Sequence, residues 1–406
     1  MCPQRKCYLG PSRPYNTIMA REDCNPTHVT VVASSYYPCN LLAYSLIPAD
    51  FVEVVVPRFD PDTVTASRMA AARIQFPKLT VTHAPTSFPL GINNSRSFSL
   101  PRGQNLVVKF DDPSSILSDT QFLILVEPYS AWSCQIANCA RKRGVPTLLL
   151  SETSWRSPLV RLPPFSWLAM ETLRLADGVV ACTTGARRWF EDAGIAGLRI
   201  GWQPISIVDP DLFKPPNSKR ANKLPTILFV GRLERWKGFE TLLHALHLLA
   251  DDFDFRLEVV GQGTLEPLLR RTSGFEISHV RFLGNSYPEK FASADIFCLP
   301  SEPRREFGLT TWEEVVGIPV LEAMSSGLPV VVSDSGELPN LPGPGKLIAP
   351  AGQPDALAAA IRSLLSSETL RKRMGDLNRA RIEQLYDRRE VAKRWLSVLN
   401  LANKRG

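Results

Sequence analysis

The sequence predicts an α/β protein built from two doubly wound parallel-sheet domains, and three observations carry that prediction. Short apolar runs alternate with longer helical stretches from His28 onward, the pattern of a parallel sheet covered by helices. The alternation is interrupted once, between Trp202 and Leu224, by a stretch crowded with Pro, Lys and Asn. The chain has 406 residues, 44% of them hydrophobic and 21% charged, enough for two domains that each bury a core.

In the first half the expected strands are Val29 to Ala33, Val52 to Val56, Leu106 to Phe110, Phe122 to Val126, Thr147 to Leu150 and Gly178 to Cys182. A helix is expected over Ala131 to Arg143, stopped by Gly144 and Pro146, and another over Ser166 to Ala176. In the second half strands are expected at Thr226 to Val230, Leu257 to Val260, Val280 to Leu283, Ile296 to Leu299 and Pro329 to Ser333. From Pro354 the alternation of charged and apolar residues predicts two or three amphipathic helices. The expected division is an N-terminal arm at 1–26, a first Rossmann-like domain at 27–203, a linker at 204–224, a second, ligand-binding domain at 225–380, and a helical tail at 381–406 that packs back on the first domain.

Composition excludes several classes. Apolar content is too high for a disordered chain, and neither Gly nor Ser dominates. The formal net charge is +7, but Lys and Arg are spread through both halves; the densest cluster, Arg141 to Arg143, reads as a solvated helix end and not as a nucleic-acid surface. The basic balance also suits anionic lipid headgroups or a phosphorylated acceptor. The eight cysteines are scattered, and the close pairs Cys2 and Cys7, and Cys134 and Cys139, lack the spacing of a zinc knuckle. Reduced thiols in a cytoplasm are expected. No signal peptide opens the chain and no apolar run reaches the roughly 20 residues a bilayer needs.

Paired sheets of this kind leave a cleft at the carboxyl ends of their strands, and chemistry is expected there. Three strand ends of the second half are unusual. After Val230 come Gly231, Arg232, Leu233, Glu234, Arg235, Trp236, Lys237 and Gly238: a glycine that allows close approach, then two cations suited to a diphosphate. A solvated turn has the same composition. After Val260 come Gly261, Gln262 and Gly263, only half of a dinucleotide fingerprint and equally a plain tight turn. The third is Glu314-Val-Val-Gly-Ile-Pro-Val-Leu-Glu322, two glutamates with seven residues between them, one in a glycine-containing loop and one in the first turns of a helix.

The run from Gly231 through Glu322 resembles the C-terminal domain of retaining family 4 glycosyltransferases (glycosyl transferases group 1), which have the two-domain glycosyltransferase B fold facing a cleft. Weaker resemblance to bacterial polysaccharide-building members extends to Glu127-Pro128-Tyr129-Ser130, Ala176-Asp177 and Val208 to Phe213. The resemblance implies that Arg232 and Lys237 hold the diphosphate of a nucleotide-sugar donor. Glu322 would then accept hydrogen bonds from the ribose, and Glu314 would face the transferred sugar. Gly231, Gly261 and the backbone of Val316, Gly317 and Ile318 would line the donor site, with Val280 and Leu283 flanking the base. A UDP-sugar is the expected donor and a saccharide or lipid-linked molecule the acceptor. No cofactor and no metal are expected: the chain holds three Asp-x-Asp pairs, at Asp60 and Asp62, Asp209 and Asp211, and Asp252 and Asp254, too many for the pattern to mean an ion site.

Several departures bear on the first domain. Ala33, Ser34, Ser35, Tyr36, Tyr37 and Pro38 stand where many members have a glycine-rich loop. Neither His28 at a strand start nor His83 in a loop-like stretch matches the histidine that many members place near the sugar. Residues Glu302 to Thr311 read as an insertion before Glu314, whose Arg304 and Arg305 are candidates for the acceptor. The implied activity is a retaining, metal-independent hexosyl transfer in polysaccharide or glycoconjugate synthesis, in the cytoplasm and peripheral at the inner membrane face where the acceptor is lipid-linked. The alternatives are a nucleotide-sugar epimerase or hydrolase, and a non-catalytic sugar-nucleotide-binding scaffold.

Overall fold

The computed structural model describes residues 26–33, 38–57, 77–87, 109–152, 162–204, 206–216, 224–281, 287–306 and 308–402. They fall into two compact units, one formed by the chain up to residue 204 together with the stretch from Val391 onward, the other by Ser206–Glu390.

The first unit is a seven-stranded sheet in the order β3-β2-β1-β6-β7-β8-β9, with every neighbouring pair parallel. Its strands are β1 (His28–Val32), β2 (Phe51–Pro57), β3 (Leu79–Ala84), β6 (Phe122–Val126), β7 (Thr147–Ser151), β8 (Gly178–Ala181) and β9 (Ile200–Trp202). The central strands β6, β7 and β8 are buried along their whole length, as strands covered on both faces must be. Two short strands, β4 (Thr86–Ser87) and β5 (Lys109–Phe110), pair antiparallel outside this sheet. The expected strand over Leu106 to Phe110 is therefore no member of the sheet in its described part; residues 101–108 lie outside the described residues. His83, read as loop, sits in the edge strand β3.

Helix Ala131–Arg143 ends where expected, at Gly144 in the left-handed conformation that closes a helix at little steric expense (φ 72°). Helix Phe165–Leu175 lies one residue earlier than expected at each end. The last helix, Arg388–Leu399, contributes its later part to this unit: the Trp395 indole donates to the Ala43 carbonyl at 3.0 Å, and Gln203 Nε2 donates to the Val391 carbonyl at 2.9 Å.

The second unit is a six-stranded parallel sheet of β10 (Thr226–Val230), β11 (Arg256–Val260), β12 (Glu276–Val280), β13 (Ile296–Leu299), β16 (Val330–Ser333) and β17 (Lys346–Ala349), in the order β12-β11-β10-β13-β16-β17. This is the doubly wound order in which the winding reverses between the first and fourth strands, here β10 and β13. A hairpin of β14 (Arg304–Glu306) and β15 (Leu309–Trp312) occupies the expected insertion. Three helices follow the last strand: Pro354–Leu365, Glu368–Leu385 and the start of Arg388–Leu399.

Residues expected in a linker are part of this unit. Val208 bridges to Asp387, Phe213 is buried in the core, and Arg388 binds both Asp209 (2.6 Å) and Asp211 (3.3 Å). One of the three Asp-x-Asp pairs is thereby an arginine clamp. In another, Asp252 pairs with Arg362 at 2.6 Å, and Asp60 and Asp62 lie outside the described residues.

Candidate functional site

The switch point of the second sheet brings together the ends of β10 and β13, and backbone approach explains the glycines around it. Gly238 is left-handed (φ 68°), and a Cβ there would fall 1.8 Å from the Pro300 carbonyl oxygen. Only glycine lets the turn after β10 lie against the chain leaving β13. Gly261 (φ 147°) is pressed the same way on Gly231, where its Cβ would meet the carbonyl oxygen at 1.8 Å, and a Cβ on Gly263 would meet the Leu233 carbonyl at 2.3 Å. Hydrogen bonds zip the two loops: Gly231 N to Val260 O, Leu233 N to Gln262 O, and Leu265 N to Leu233 O. The requirement for Gly261 and Gly263 is thus met by protein backbone.

Between these strand ends lies a small cleft lined by Val230, Gly231, Lys237, Leu299, Glu314 and the loop 316–319. Six of the residues singled out from sequence meet here: Gly231, Lys237, Glu314, Val316, Gly317 and Ile318.

Lys237 and Glu314 form a buried ion pair, with side chains 11% and 8% exposed. The Glu314 carboxylate also accepts from the Ser301 hydroxyl at 2.9 Å, and the Ser301 carbonyl in turn accepts from Ser333 Oγ. The backbone of Glu314 is fixed as well: its carbonyl accepts from Glu337 N at 2.8 Å, and a Cβ on the left-handed Gly336 would lie 2.1 Å from that oxygen. The Trp312 ring lies 4.8 Å from the Lys237 ammonium. A buried charge costs several kcal/mol unless it is paired and hydrogen-bonded, and both ends of this pair are.

The loop from Val316 to Pro319 opens helix Ile318–Ser325, capped by Gly317 without a side-chain bond. Ile318 N is engaged with Val316 O, and the amides of Val320 and Leu321 with Gly317 O; Pro319 has no N–H. Among the described residues, the amides of Val316 and Gly317 are the ones in this loop without a hydrogen-bond partner. The expectation that Ile318 offers its amide is corrected accordingly.

The other residues lie around this centre. Arg232 is exposed and sits over the Trp236 ring at 5.3 Å. Glu322 lies one turn into the helix and accepts from the Tyr287 hydroxyl at 2.5 Å. Val280 is the last residue of β12, where its carbonyl accepts from Gly261 N at 3.0 Å. The expected strand from Val280 to Leu283 therefore ends where it was to begin, and Leu283 lies outside the described residues. Sequence reading missed Ser301, Trp312 and Tyr287; the hairpin signal around Gly308 was the available pointer to Trp312.

The carboxyl end of the first sheet is built differently. Its winding reverses between β1 and β6, and the residue after β6 is Glu127, left-handed at φ 68°, the one non-glycine with positive φ among the described residues. Its buried carboxylate accepts from Ser151 Oγ and from Glu152 N, both at 2.8 Å, and its carbonyl from Ser133 Oγ at 2.7 Å. Burial, with Glu152 and Glu127 nearby, pushes the Cys182 thiol well above its ordinary range. His28 lies 3.8 Å from Glu53 and edge-on to Phe51, on the other side of β1 in the strand order. Among the described residues no group of three or more His, Cys, Asp or Glu is disposed to hold a metal ion, and no helix is long and apolar enough to cross a membrane.

Residues 212–381 match the family described as Glycosyl transferases group 1. The chain is 34% identical over 206 residues to a phosphatidyl-myo-inositol mannosyltransferase of Mycobacterium leprae (strain TN), covering 48% of this chain and 52% of the relative. It is 27% identical over 261 residues to an MMP alpha-(1->4)-mannosyltransferase of Mycolicibacterium hassiacum, covering 61% and 60%. The chain thus spans between half and three fifths of the length of these relatives. Among solved structures, Anabaena Alr3699/HepE in complex with UDP superposes with a TM-score of 0.66 at 15% identity, covering 93% of this chain and 100% of that one. A sucrose-phosphate synthase from Thermosynechococcus elongatus gives 0.65 at 17% identity, covering 93% and 98%. Residues 212–381 are therefore similar to glycosyl transferases group 1, and the two parallel-sheet units share the glycosyltransferase B fold of these solved structures.

Proposed function

We propose that the protein is a glycosyltransferase that moves a sugar from a nucleotide-diphosphate donor, held at the ends of β10 and β13, to a saccharide or lipid-linked acceptor. The observation that supports this best is the cleft in which a buried Lys237, the pocket-lining Gly231 and two unengaged amides, Val316 and Gly317, stand together. Breaking the bond from an anomeric carbon to a diphosphate puts negative charge on the leaving oxygen, and fixed cations stabilise it without reorganising. Lys237 and Arg232 supply that charge. The free amides bind hydroxyls of the transferred sugar, Glu314 holds Lys237 while facing that sugar, and Glu322 receives the ribose hydroxyls.

The reaction in this reading retains anomeric configuration, as in family 4, and needs neither a metal nor a resident cofactor. Several relatives bear the name mannosyltransferase, one of them GDP-mannose-dependent. GDP-mannose is therefore the first donor to offer, ahead of the UDP-sugars that the motif alone suggests.

The test is release of nucleoside diphosphate from GDP-mannose, UDP-glucose and UDP-galactose, with and without a bacterial lipid extract, followed by mass spectrometry. Acceptor-dependent release that disappears in Lys237→Met supports the transferase. Release without any acceptor turns the reading to a hydrolase or epimerase, and donor binding with no release turns it to a scaffold. Full activity in excess EDTA is expected, and NMR of the new linkage is expected to show the donor's anomeric configuration.

A further inference from the structure

The two glutamates of the 314–322 segment are held by different chemistry. Glu314 is buried against the Lys237 ammonium, whereas the half-buried Glu322 accepts from a phenol, the Tyr287 hydroxyl, at 2.5 Å. Tyr287 opens the helix Tyr287–Ser293, and Glu322 lies in the helix Ile318–Ser325, so the bond joins two helices. Ile318 and Glu322 are four residues apart on one helix and share a face of it, and Ile318 lines the cleft.

The phenol is oriented by what packs on its ring. Tyr287 meets Phe213 edge-on at 5.9 Å and Phe291 edge-on at 5.2 Å, and those two rings meet edge-on at 5.5 Å. Both phenylalanines are buried, and edge-on contacts of this kind restrain a ring's plane as well as burying it. The Phe213 carbonyl accepts from Ser325 Oγ at 2.6 Å, in the helix that carries Glu322. A closed frame therefore runs from Tyr287 through Phe213 and Ser325 to Glu322, and it sets where the hydroxyl points. A hydroxyl donates one proton and brings no charge, so it turns the carboxylate without cancelling it. A carboxylate accepts at about four lone-pair positions, and a bond to Tyr287 is compatible with bonds to a diol.

We infer that Tyr287 is a positioning residue for the donor: its hydroxyl holds the Glu322 carboxylate in the arrangement that receives the ribose hydroxyls. This rests on the donor reading above. Tyr287 acts through Glu322 and touches no part of the donor itself.

The test is isothermal titration of GDP and UDP, and of their 2′,3′-dideoxy analogues, into the full chain as wild type, Tyr287→Phe, Glu322→Ala and the double variant, with circular dichroism of each to verify the fold. Wild type is expected to bind the preferred ribose diphosphate about tenfold more tightly than its dideoxy analogue. Tyr287→Phe keeps the ring and removes only the hydroxyl. It is expected to weaken the ribose form about fivefold and the dideoxy form less than about twofold. Glu322→Ala is expected to show the same selectivity with a larger loss, and the double variant to lose no more than Glu322→Ala, because the phenol acts through the carboxylate. Equal losses of both forms in Tyr287→Phe would reduce the bond to a tie between helices and overturn the proposal. So would an unchanged affinity for the ribose form. A wild type that binds ribose and dideoxy forms alike overturns the proposal while leaving the donor reading intact, and one that binds neither GDP nor UDP overturns the donor reading itself.

Discussion

The two sheets reverse their winding at equivalent places and finish those places with opposite chemistry. After β10 the chain uses glycines, Gly231 and the left-handed Gly238, and follows them with cations; after β6 the single left-handed residue is a glutamate whose carboxylate is turned inward and bonded. The second sheet opens its backbone toward a cleft, and the first closes its strand end with side-chain hydrogen bonds between β6 and β7. One topology therefore supports a glycine-rich, cationic end and a buried acidic end, and the residue type at the turn decides which.

The largest expected effect breaks the cationic end. Lys237→Met is expected to lower kcat/KM for donor cleavage by roughly 10²- to 10³-fold, the scale of removing one preorganised stabilising group, and steady-state kinetics with the identified donor would check it. Gly238→Ala comes next: with the added carbon 1.8 Å from the Pro300 carbonyl and φ at 68°, unfolding in urea is expected to show a loss of ~3 kcal/mol or more. Gly144→Ala has the same sign of φ but nothing within 4 Å of the new carbon, so its loss is expected near ~1 kcal/mol; equal losses would refute close approach as the reason for Gly238.

At the acidic end, Glu127→Gly removes the left-handed strain and two hydrogen bonds together. The strain is worth ~1–2 kcal/mol and the unsatisfied partners ~1–3 kcal/mol each, so a net destabilisation of about 2 kcal/mol by urea titration is expected. A stabilised Glu127→Gly would mean the carboxylate contributes nothing at this strand end. The smallest effect concerns thiols. Burial raises the Cys182 thiol, with Glu152 and Glu127 adding to it, so it is protonated at neutral pH and begins to form thiolate only well above the usual thiol range. Iodoacetamide at pH 8 is expected to leave it unmodified in the native protein, and peptide mapping would detect the contrary.

What could be read from sequence divides along a physical line. Strands buried on both faces, such as Phe122–Val126 and Thr226–Val230, are uninterrupted apolar runs and stand where the sequence predicts them. The sheet strands that were missed or misplaced are the four edges: β3 and β9 of one sheet, β12 and β17 of the other. Edge strands are covered on fewer sides, and their residues show it: β12 is half-buried or exposed throughout, and β9 is half-buried at every position. Neither β9 nor β12 carries a continuous apolar run or a strict alternation, and in β3 the alternation of Leu79, Thr80, Val81 and Thr82 spans only four residues.

Much of the cleft was legible because its lining residues other than Val230 and Leu299 cluster along the chain in two short segments, 231–238 and 314–322. Its supports were not, because Ser301, Tyr287 and Trp312 reach it through folding alone and no period marks them. The tight turn at Gly261 was legible as a turn, and only the backbone of Gly231 lying against it tells why the residue is glycine.

The helix Glu368–Leu385 has a practical consequence for cutting this protein into parts. The match to the group 1 family ends at residue 381, but the helix runs past it: Ile382 is fully buried, Tyr386 nearly so, and Asp387 and Arg388 reach back to Val208 and to Asp209 and Asp211. A fragment trimmed to that limit would end in mid-helix, strip a core side chain of its backbone and leave two aspartates without their arginine. The compact unit itself runs from Ser206 to Glu390, and its end lies inside the helix Arg388–Leu399, whose later part belongs to the other unit, so the two units share that helix.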